Sequence, residues 1–327
     1  MTTLIVKSLK AKFMQYFGAF LVLLILNFLL PRMLPGDPID AIYGDSVVVI
    51  TPEIRAHLVE QHHLNDPLRA QFFHYLYSCI TLDFGYSYSY NAPVREIIEG
   101  ALPWTLLLAG TSLFLAVLIA LFLGIESGWR RGGLMDRFLF SFFAVLNGIP
   151  GYFVGMLLII FLALKFQLFP IGGAKTPYAG YEGLGYLLDV GKHLVLPMLA
   201  LSVTELSWIY LLMRGSMLGV INEPFIVTGR LKGLKERVIK YRYAARNALL
   251  PVVTRLGIQV GQIVTGVLLI EIVFSYPGVG LIMYNALMSR DLPLLQGLLF
   301  VLTICILGCN FTVDLLYPKI DPRVNYA

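Results

Sequence analysis

Charged residues are scarce in this chain. Only 14% of its 327 residues are Asp, Glu, Lys or Arg, whereas an average soluble domain has about 25%. Hydrophobic residues make up 57% of the sequence, which is more apolar surface than a water-soluble protein of this length can bury. The composition therefore excludes a disordered chain and argues against a soluble enzyme. It favours an integral membrane protein with several helices.

Cysteine is scarce as well, with three residues in the whole sequence. That number is too small for the disulfide framework of a secreted protein. The formal net charge is only +5, and its basic residues are spread over several loops, which does not indicate a nucleic-acid-binding surface. The spacing of His57, His62, His63 and His74 matches no standard ligand pattern, so we predict no metal site.

The sequence also lacks the motifs of an enzyme. It has no Gly-x-x-x-x-Gly-Lys phosphate-binding loop and no convincing arrangement of Ser, Cys or His for nucleophilic catalysis. Cys305 and Cys309 are one helical turn apart, where packing is the better interpretation. We therefore expect no catalytic residue and no cofactor bound by this chain. A membrane enzyme is the weakest of the functional classes considered.

Long apolar stretches are what the sequence does contain. A helix needs about 20 mostly apolar residues to cross a bilayer, and continuous runs favour helices over barrel strands. Six stretches meet this requirement. They are Phe13–Leu30, Leu102–Glu126, Phe138–Phe166, Lys192–Met213, Leu249–Phe274 and Pro293–Leu316. The predicted fold is therefore an all-α integral membrane protein with six transmembrane helices.

The positions of the basic residues predict the orientation. Most of the 25 Lys and Arg residues lie in the loops on one side of the six spans, and basic loops stay in the cytosol. Both termini are then cytosolic. The predicted organisation is a cytosolic N-terminus (1–12), a first span (13–30), an extracytoplasmic subdomain (31–100) and a five-span core (101–327).

The extracytoplasmic subdomain has helix signals of its own. Asp66-Pro67 is typical of a helix start, with Pro at the first helical position. Leu68, Phe72, Leu76 and Ile80 follow at intervals of four residues, which predicts one apolar helix face. We therefore expect a small helical ectodomain between spans one and two.

The loop at 214–248, between the fourth and fifth predicted spans, is strongly basic. Asn222 and Pro224 are suited to begin a short helix there, and Gly233 is suited to end it. A short helix with a bulky anchor and basic flanks fits a groove on another protein. From composition alone, an ordinary basic connector explains this loop equally well.

The same loop resembles a signature of the permease subunits of ATP-binding-cassette importers of the dipeptide, oligopeptide and nickel type. That signature reads Thr-Ala-x-Ala-x-Gly-Leu, followed by Arg-Asn-Ala and a Pro. Here the corresponding stretches are Thr228–Leu234 and Arg246–Pro251, with Gly229 and Leu231 in place of the two Ala residues. Further short matches follow in the same order along nearly the whole chain. They include Pro35–Pro38, Leu82–Gly85, Asp136-Arg137, Phe274–Gly280, Arg290-Asp291 and Asp321–Arg323.

The resemblance implies a subunit without chemistry of its own, in a prokaryotic plasma membrane. Its partners would be a second homologous permease, cytosolic ATPases that bind ATP and Mg, and an extracytoplasmic solute-binding protein. The short helix would dock on an ATPase and transmit its movement, with Phe225 and Leu234 as anchors. The residues to which this coupling role carries over are Phe225, Thr228, Gly229, Arg230, Lys232, Gly233 and Leu234. Peptides, nickel chelates and small glycans remain open as solutes.

Polar residues within the predicted spans are candidates for the solute path, because such residues are costly in lipid and usually face a cavity or a partner. The candidates are Asn147, Glu205, Gln259, Gln262, Glu271 and Asn310. A structural hydrogen bond explains Glu205 equally well, and water access near the outer end of a span explains Glu271. The alternative function is a stand-alone secondary transporter or channel. That class should show internal hydropathy repeats, and we find no convincing one.

Overall fold

The chain is mostly helical. The computed structural model describes residues 2–33 and 66–320, with side chains described at 12–33, 66–257 and 267–315. A short β-hairpin pairs Tyr86–Ser87 (β1) with Ala92–Pro93 (β2). The helices are Thr2–Arg32 (α1), Leu68–Thr81 (α2), Val94–Trp129 (α3), Leu134–Leu146 (α4), Gly151–Leu158 (α5), Gly183–Val220 (α6), Pro224–Leu231 (α7), Glu236–Val238 (α8), Ala245–Val273 (α9), Val279–Met288 (α10) and Leu292–Ile320 (α11). Two π-helical stretches, Ile159–Lys165 and Ile239–Ala244, continue α5 and α8.

Several helices are long and apolar enough to cross a membrane. Among the described residues, four meet this criterion, namely Lys12–Arg32 within α1, α3, α6 and Leu292–Leu315 within α11. They contain the first, second, fourth and sixth predicted spans. The fifth predicted span lies within α9, whose side chains at 258–266 are outside the described residues.

The third predicted span, Phe138–Phe166, is not one straight helix. It is divided between α4 and the segment from Gly151 to Lys165, which meet at an angle of 99°. The break falls at Asn147–Pro150. The Pro150 ring lacks an N–H and disfavours helical geometry at the residue before it. The residues of the third predicted span therefore form two helical segments that meet at this break.

The chain divides into two compact units. Among the described residues, unit 1 contains 2–33, 66–104 and 277–308, and unit 2 contains 105–276 and 309–320. In unit 1, the Asn27 amide of α1 donates hydrogen bonds to Thr303 Oγ1 at 2.9 Å and to the Leu299 carbonyl at 3.3 Å, both on α11. These bonds join the first and last helices within that unit.

Helix α2 begins one residue after the predicted position, because Pro67 is its N-cap. The predicted apolar face was correct only in part. Phe72 and Leu76 pack against the core of unit 1, but Leu68 and Ile80 are 62% and 82% exposed. Tyr75 and Cys79 are the buried residues of α2. An α-helix has 3.6 residues per turn, so a strict four-residue row drifts off the buried face.

Unit 2 is organised around α6, which packs against α4, α5 and α9. Its core includes Ile209, Tyr210, Met213 and Met217, all fully buried. The close approach of α3 to α6 depends on two glycines. A Cβ atom at Gly124 would lie 2.7 Å from Met213 Cβ, and one at Gly128 would lie 2.5 Å from Met217 Cβ. A Gly-x-x-x-Gly pair of this kind lets two helix backbones come close together.

Candidate functional site

Helix α7 lies within the 214–248 loop and ends before Gly233 as predicted, but its N-cap is Glu223 and not Asn222. Glu223 is its N-cap and Pro224 its first residue, where the missing N–H costs nothing. Gly233 follows the last turn with φ of +73°, a left-handed conformation that glycine adopts without strain. The Gly233 N–H donates to the Arg230 carbonyl, and the Leu234 N–H donates to the Gly229 carbonyl. This pair of bonds is a Schellman motif, which fixes where the helix ends.

One face of α7 is turned toward the core of unit 2. Ile226 is fully buried and Gly229 is buried. Ile239, the first residue of the second π-helical stretch, lies directly against Gly229. Phe225 and Leu234, which are expected to anchor the helix in a partner, are half-buried against the same core. Part of each side chain therefore packs within this chain.

The opposite face of α7 is exposed. Val227 is 50% exposed and Leu231 is 84% exposed. Thr228 is also exposed, and its hydroxyl donates to the Pro224 carbonyl at 2.9 Å. Lys232 is exposed as well. Leu231 was not among the residues proposed for coupling, since an apolar side chain in a basic loop gives no sequence signal of its direction.

Arg230 contacts its own chain. Its Nε atom lies 3.1 Å from Glu236 Oε1, and its guanidinium carbon lies 5.6 Å from the centroid of the Trp129 ring at the end of α3. The pair with Glu236 is exposed on both sides, so its net stabilisation is about 0–1 kcal/mol. Arg230 thus contacts both α3 and the residue that begins α8.

The second π-helical stretch connects α7 to the end of α3. Lys240 Nζ and Tyr241 Oη both donate to Glu126 Oε1 at 2.5 Å. Lys240 and Glu126 are 12% and 13% exposed. The bond to the Glu126 carboxylate raises the pKa of the Tyr241 phenol. Ile239, which packs under α7, directly precedes these two residues.

A second buried group lies one residue further along α3. The Ser127 hydroxyl donates to Asp136 Oδ1 at 2.5 Å and lies 2.6 Å from Tyr210 Oη on α6. Asp136, only 2% exposed, also accepts the Gly132 N–H at 2.9 Å. Arg214 of α6 binds both oxygens of Asp136 through Nε and Nη2. This charged group joins α3, α4 and α6.

The sequence reasoning missed this buried charged group. Asp136 and Arg214 are 78 positions apart, so no local pattern links them. The one local indication of a buried charge was Asp136 itself, an acidic residue in the first turn of the apolar helix α4. A charge in that position needs a partner or water.

The solute-path candidates lie in different environments. Glu205 is 6% exposed and accepts a hydrogen bond from Trp208 Nε1 at 2.7 Å on the same helix. Glu271 is fully buried and accepts one from Thr105 Oγ1 at 2.6 Å, so water does not reach it. Asn147 is exposed at the break after α4, and Asn310 is half-buried. The side chains of Gln259 and Gln262 lie outside the described residues.

The sequence of this chain is similar to those of known membrane transport proteins. Residues 93–326 match the family described as the inner membrane component of binding-protein-dependent transport systems. A candidate peptide permease of Brucella suis is 35% identical over 310 residues, which is 94% of this chain and 95% of that protein. The oligopeptide transport system permease of Bacillus subtilis is 32% identical, over 92% of this chain and 94% of that protein. The dipeptide transport system permease of Escherichia coli is 31% identical, over 94% and 95%.

The family match covers well over half of the chain and includes α7, the second π-helical stretch and the Asp136–Arg214 pair. The relatives are similar over nearly their whole length. The chain therefore belongs to the family of binding-protein-dependent transport system inner membrane components.

Proposed function

We propose that this chain is one of two permease subunits of an ATP-driven importer of short peptides. The names of the similar proteins support peptides as the solute class. The proposed topology has six spans with both termini in the cytosol, and α4, α5 and the first π-helical stretch together form a broken third span. The partners are a second permease, cytosolic ATPases that carry ATP and Mg, and an extracytoplasmic solute-binding protein.

The observation that carries the coupling proposal is the two-sided character of α7. Its buried face, Ile226 and Gly229, fixes the helix on the chain's own core, and its exposed face presents Val227 and Leu231. An isolated apolar side chain on a surface is common, but two of them on a short capped helix suit a groove on a partner. We infer that Val227 and Leu231 enter the cleft of the ATPase.

Movement of α7 would reach the transmembrane helices through polar contacts. The path runs from Ile239 under α7 to Lys240 and Tyr241, and from there to Glu126 on α3. Ser127, the next residue, contacts Asp136 and Tyr210, and Asp136 binds Arg214 on α6. Short, charge-assisted bonds of this kind are the stronger hydrogen bonds in proteins. A displacement of α7 is thereby passed on to α3, α4 and α6 together.

The test of the coupling face is a charge on its most exposed residue. We expect the Leu231→Asp permease to reach the membrane. The amount of ATPase that co-purifies with it and the rate of peptide uptake should both fall at least about tenfold, which is typical for loss of a side chain at the centre of a protein interface. Leu134→Asp is the matched control, because Leu134 is 87% exposed but lies at the start of α4, outside α7 and outside the second π-helical stretch. Normal ATPase recovery with Leu231→Asp would refute the proposed docking face.

The wider proposal is tested by the composition of the complex. Mild detergent extraction of the wild-type chain should recover a second permease and the ATPases, and uptake should require ATP. A single chain that transports alone would support the secondary transporter or channel instead. For the solute path, Glu205→Gln should change uptake while assembly stays intact.

A further inference from the structure

Unit 1 contains a cavity that the coupling mechanism does not use. Its volume is about 310 Å³. Its wall includes Arg32 at the end of α1, Gln71 and Tyr75 of α2, Tyr88 of the hairpin, and Gln296 of α11. A cavity of this size accommodates a small organic molecule or part of one.

The guanidinium of Arg32 lies in this wall, half-buried, and its hydrogen-bond partners among the described residues are neutral. Its Nε donates to Gln71 Oε1 at 2.9 Å, and its Nη1 donates to the Phe28 carbonyl at 2.9 Å. Its central carbon lies 3.8 Å from the centroid of the Phe28 ring. Two of the five N–H donors of an arginine are thereby used, and three remain.

No carboxylate contacts Arg32 among the residues that the structure describes, and none lines the cavity. A half-buried charge has lost part of its contact with water, and an anionic partner would compensate for that loss. The neighbouring acid, Asp291, is fully buried and already accepts bonds from Ser87, from the N–H and hydroxyl of Ser89, and from the Leu294 N–H. Asp291 therefore holds the hairpin and the start of α11 together.

A second donor in the same wall lacks an acceptor. The Nε2 atom of Gln296 is buried and has no hydrogen-bond partner within the described part of the chain. Buried amide groups are almost always bonded. The cationic fork favours an anionic group, and the unbonded amide donor needs an acceptor oxygen; a carboxylate supplies both. The Phe84 ring and Pro293 supply apolar wall beside them.

We propose that this cavity binds the terminal carboxylate of a short peptide, with Arg32 bonded to the carboxylate and Gln296 donating a further hydrogen bond. The choice of a peptide rests on the proposed function, whereas the choice of a carboxylate rests on the two donors. Guanidinium and carboxylate match as planar, bidentate partners. In the proposed topology the cavity is on the outer side, where a peptide would first meet the permease.

The experiment measures peptide binding to the complete transporter in nanodiscs of zwitterionic lipid, without the solute-binding protein. Tri-alanine is compared with its C-terminal amide, which has the same shape but no charge at that end. The wild type should bind the acid at least about tenfold more tightly, the range expected for hydrogen bonds to a charged group. Arg32→Gln should bind acid and amide equally.

Arg69→Gln is the matched control, because Arg69 is exposed on α2 and does not line the cavity. It removes the same charge and should leave the preference for the acid unchanged. Assembly and basal ATP hydrolysis are measured for every variant. If Arg32→Gln fails to assemble, Gln296→Leu replaces it, and this variant should reduce the preference several-fold.

Equal binding of acid and amide to the wild type would overturn the proposal, as would a full preference for the acid in an assembled Arg32→Gln. Loss of acid binding on addition of phosphatidylglycerol would also overturn it, in favour of a lipid headgroup. Uptake separates the two proposals. If peptides are taken up but the acid is not bound more tightly than the amide, only the proposed carboxylate site is refuted. If peptides are not taken up but N-acetylglycine is bound more tightly than its amide, only the proposed peptide transport is refuted.

Discussion

Arg214 and Asp136 form a two-point ion pair inside unit 2. Arg214 Nε lies 2.7 Å from Asp136 Oδ1, and Arg214 Nη2 lies 2.9 Å from Asp136 Oδ2. The side chains are only 17% and 2% exposed, and the Arg214 guanidinium also lies over the Phe140 ring at 4.5 Å. The pair holds the start of α4 against α6. Ser127, which donates to Asp136, directly follows Glu126, the acceptor of the bonds from Lys240 and Tyr241.

Removal of one partner of this pair should destabilise the protein strongly. Arg214→Ala leaves the Asp136 carboxylate buried without its cation, which typically costs about 3–5 kcal/mol. Arg230→Ala breaks the exposed pair with Glu236 and should cost only about 0–1 kcal/mol. Unfolding in mixed detergent micelles gives both values. Equal stability losses in the two variants would show that burial does not distinguish the pairs.

The contact between α3 and α6 should not tolerate a methyl group at Gly128. Because an added Cβ would lie 2.5 Å from Met217 Cβ, Gly128→Ala must push the helices apart, at a cost of about 1–3 kcal/mol. Gly110→Ala is the control on the same helix, where no atom lies within 4 Å of the added Cβ. It should be neutral or stabilise by up to about 1 kcal/mol. Thermal unfolding of the detergent-solubilised protein measures both, and a harmless Gly128→Ala would disprove the close approach.

The end of α7 should be sensitive to the residue at 233. Proline cannot adopt the φ of +73° found there, and it removes the N–H that donates to the Arg230 carbonyl. We expect Gly233→Pro to stay in the membrane and to lose at least about 90% of ATP-driven uptake, as misplacement of a positioning element commonly does. ATP hydrolysis and uptake are measured together in proteoliposomes.

Gly219→Ala serves as the control for this variant. Gly219 lies near the end of α6, where no atom is within 4 Å of an added Cβ and φ is not positive, so uptake should be normal. Normal coupling in Gly233→Pro would mean that the Schellman end of α7 is not needed to position the helix.

The thiol of Cys79 should respond to pH only in strongly basic solution. Burial in α2 raises its pKa from about 9 to about 11, so the folded state keeps its proton when the unfolded chain has lost it. The stability that this contributes is complete below about pH 9 and is lost as the pH rises through 11. The rate of iodoacetamide alkylation of a variant whose only cysteine is Cys79 should reach half of its maximum near pH 11 in the folded protein. The same chain in denaturant should reach half of its maximum near pH 9, and identical profiles would contradict the burial of the thiol.

The sequence was sufficient for the features that depend on local chemistry. Apolar runs located five of the six predicted spans within single helices, because a long apolar helix is the simplest way to satisfy a backbone in lipid. Pro224 and Gly233 located the two ends of α7, because each residue has a strong backbone preference. The order of short motifs indicated the family, which the comparison with known proteins confirmed.

Only the tertiary structure decided which way each face of α7 points and which residues distant in sequence pair with each other. The side of α7 that faces the core depends on where Ile239 lies, and Ile226 is therefore buried while Leu231 is exposed. The 99° bend after α4 follows from the break at Asn147–Pro150 together with packing against α6. The partner of Asp136 is 78 positions distant. The local sequence determines the backbone conformation that each residue prefers and whether a stretch is polar or apolar. How the helices pack determines which distant charges pair and which glycines lie at a close helix contact.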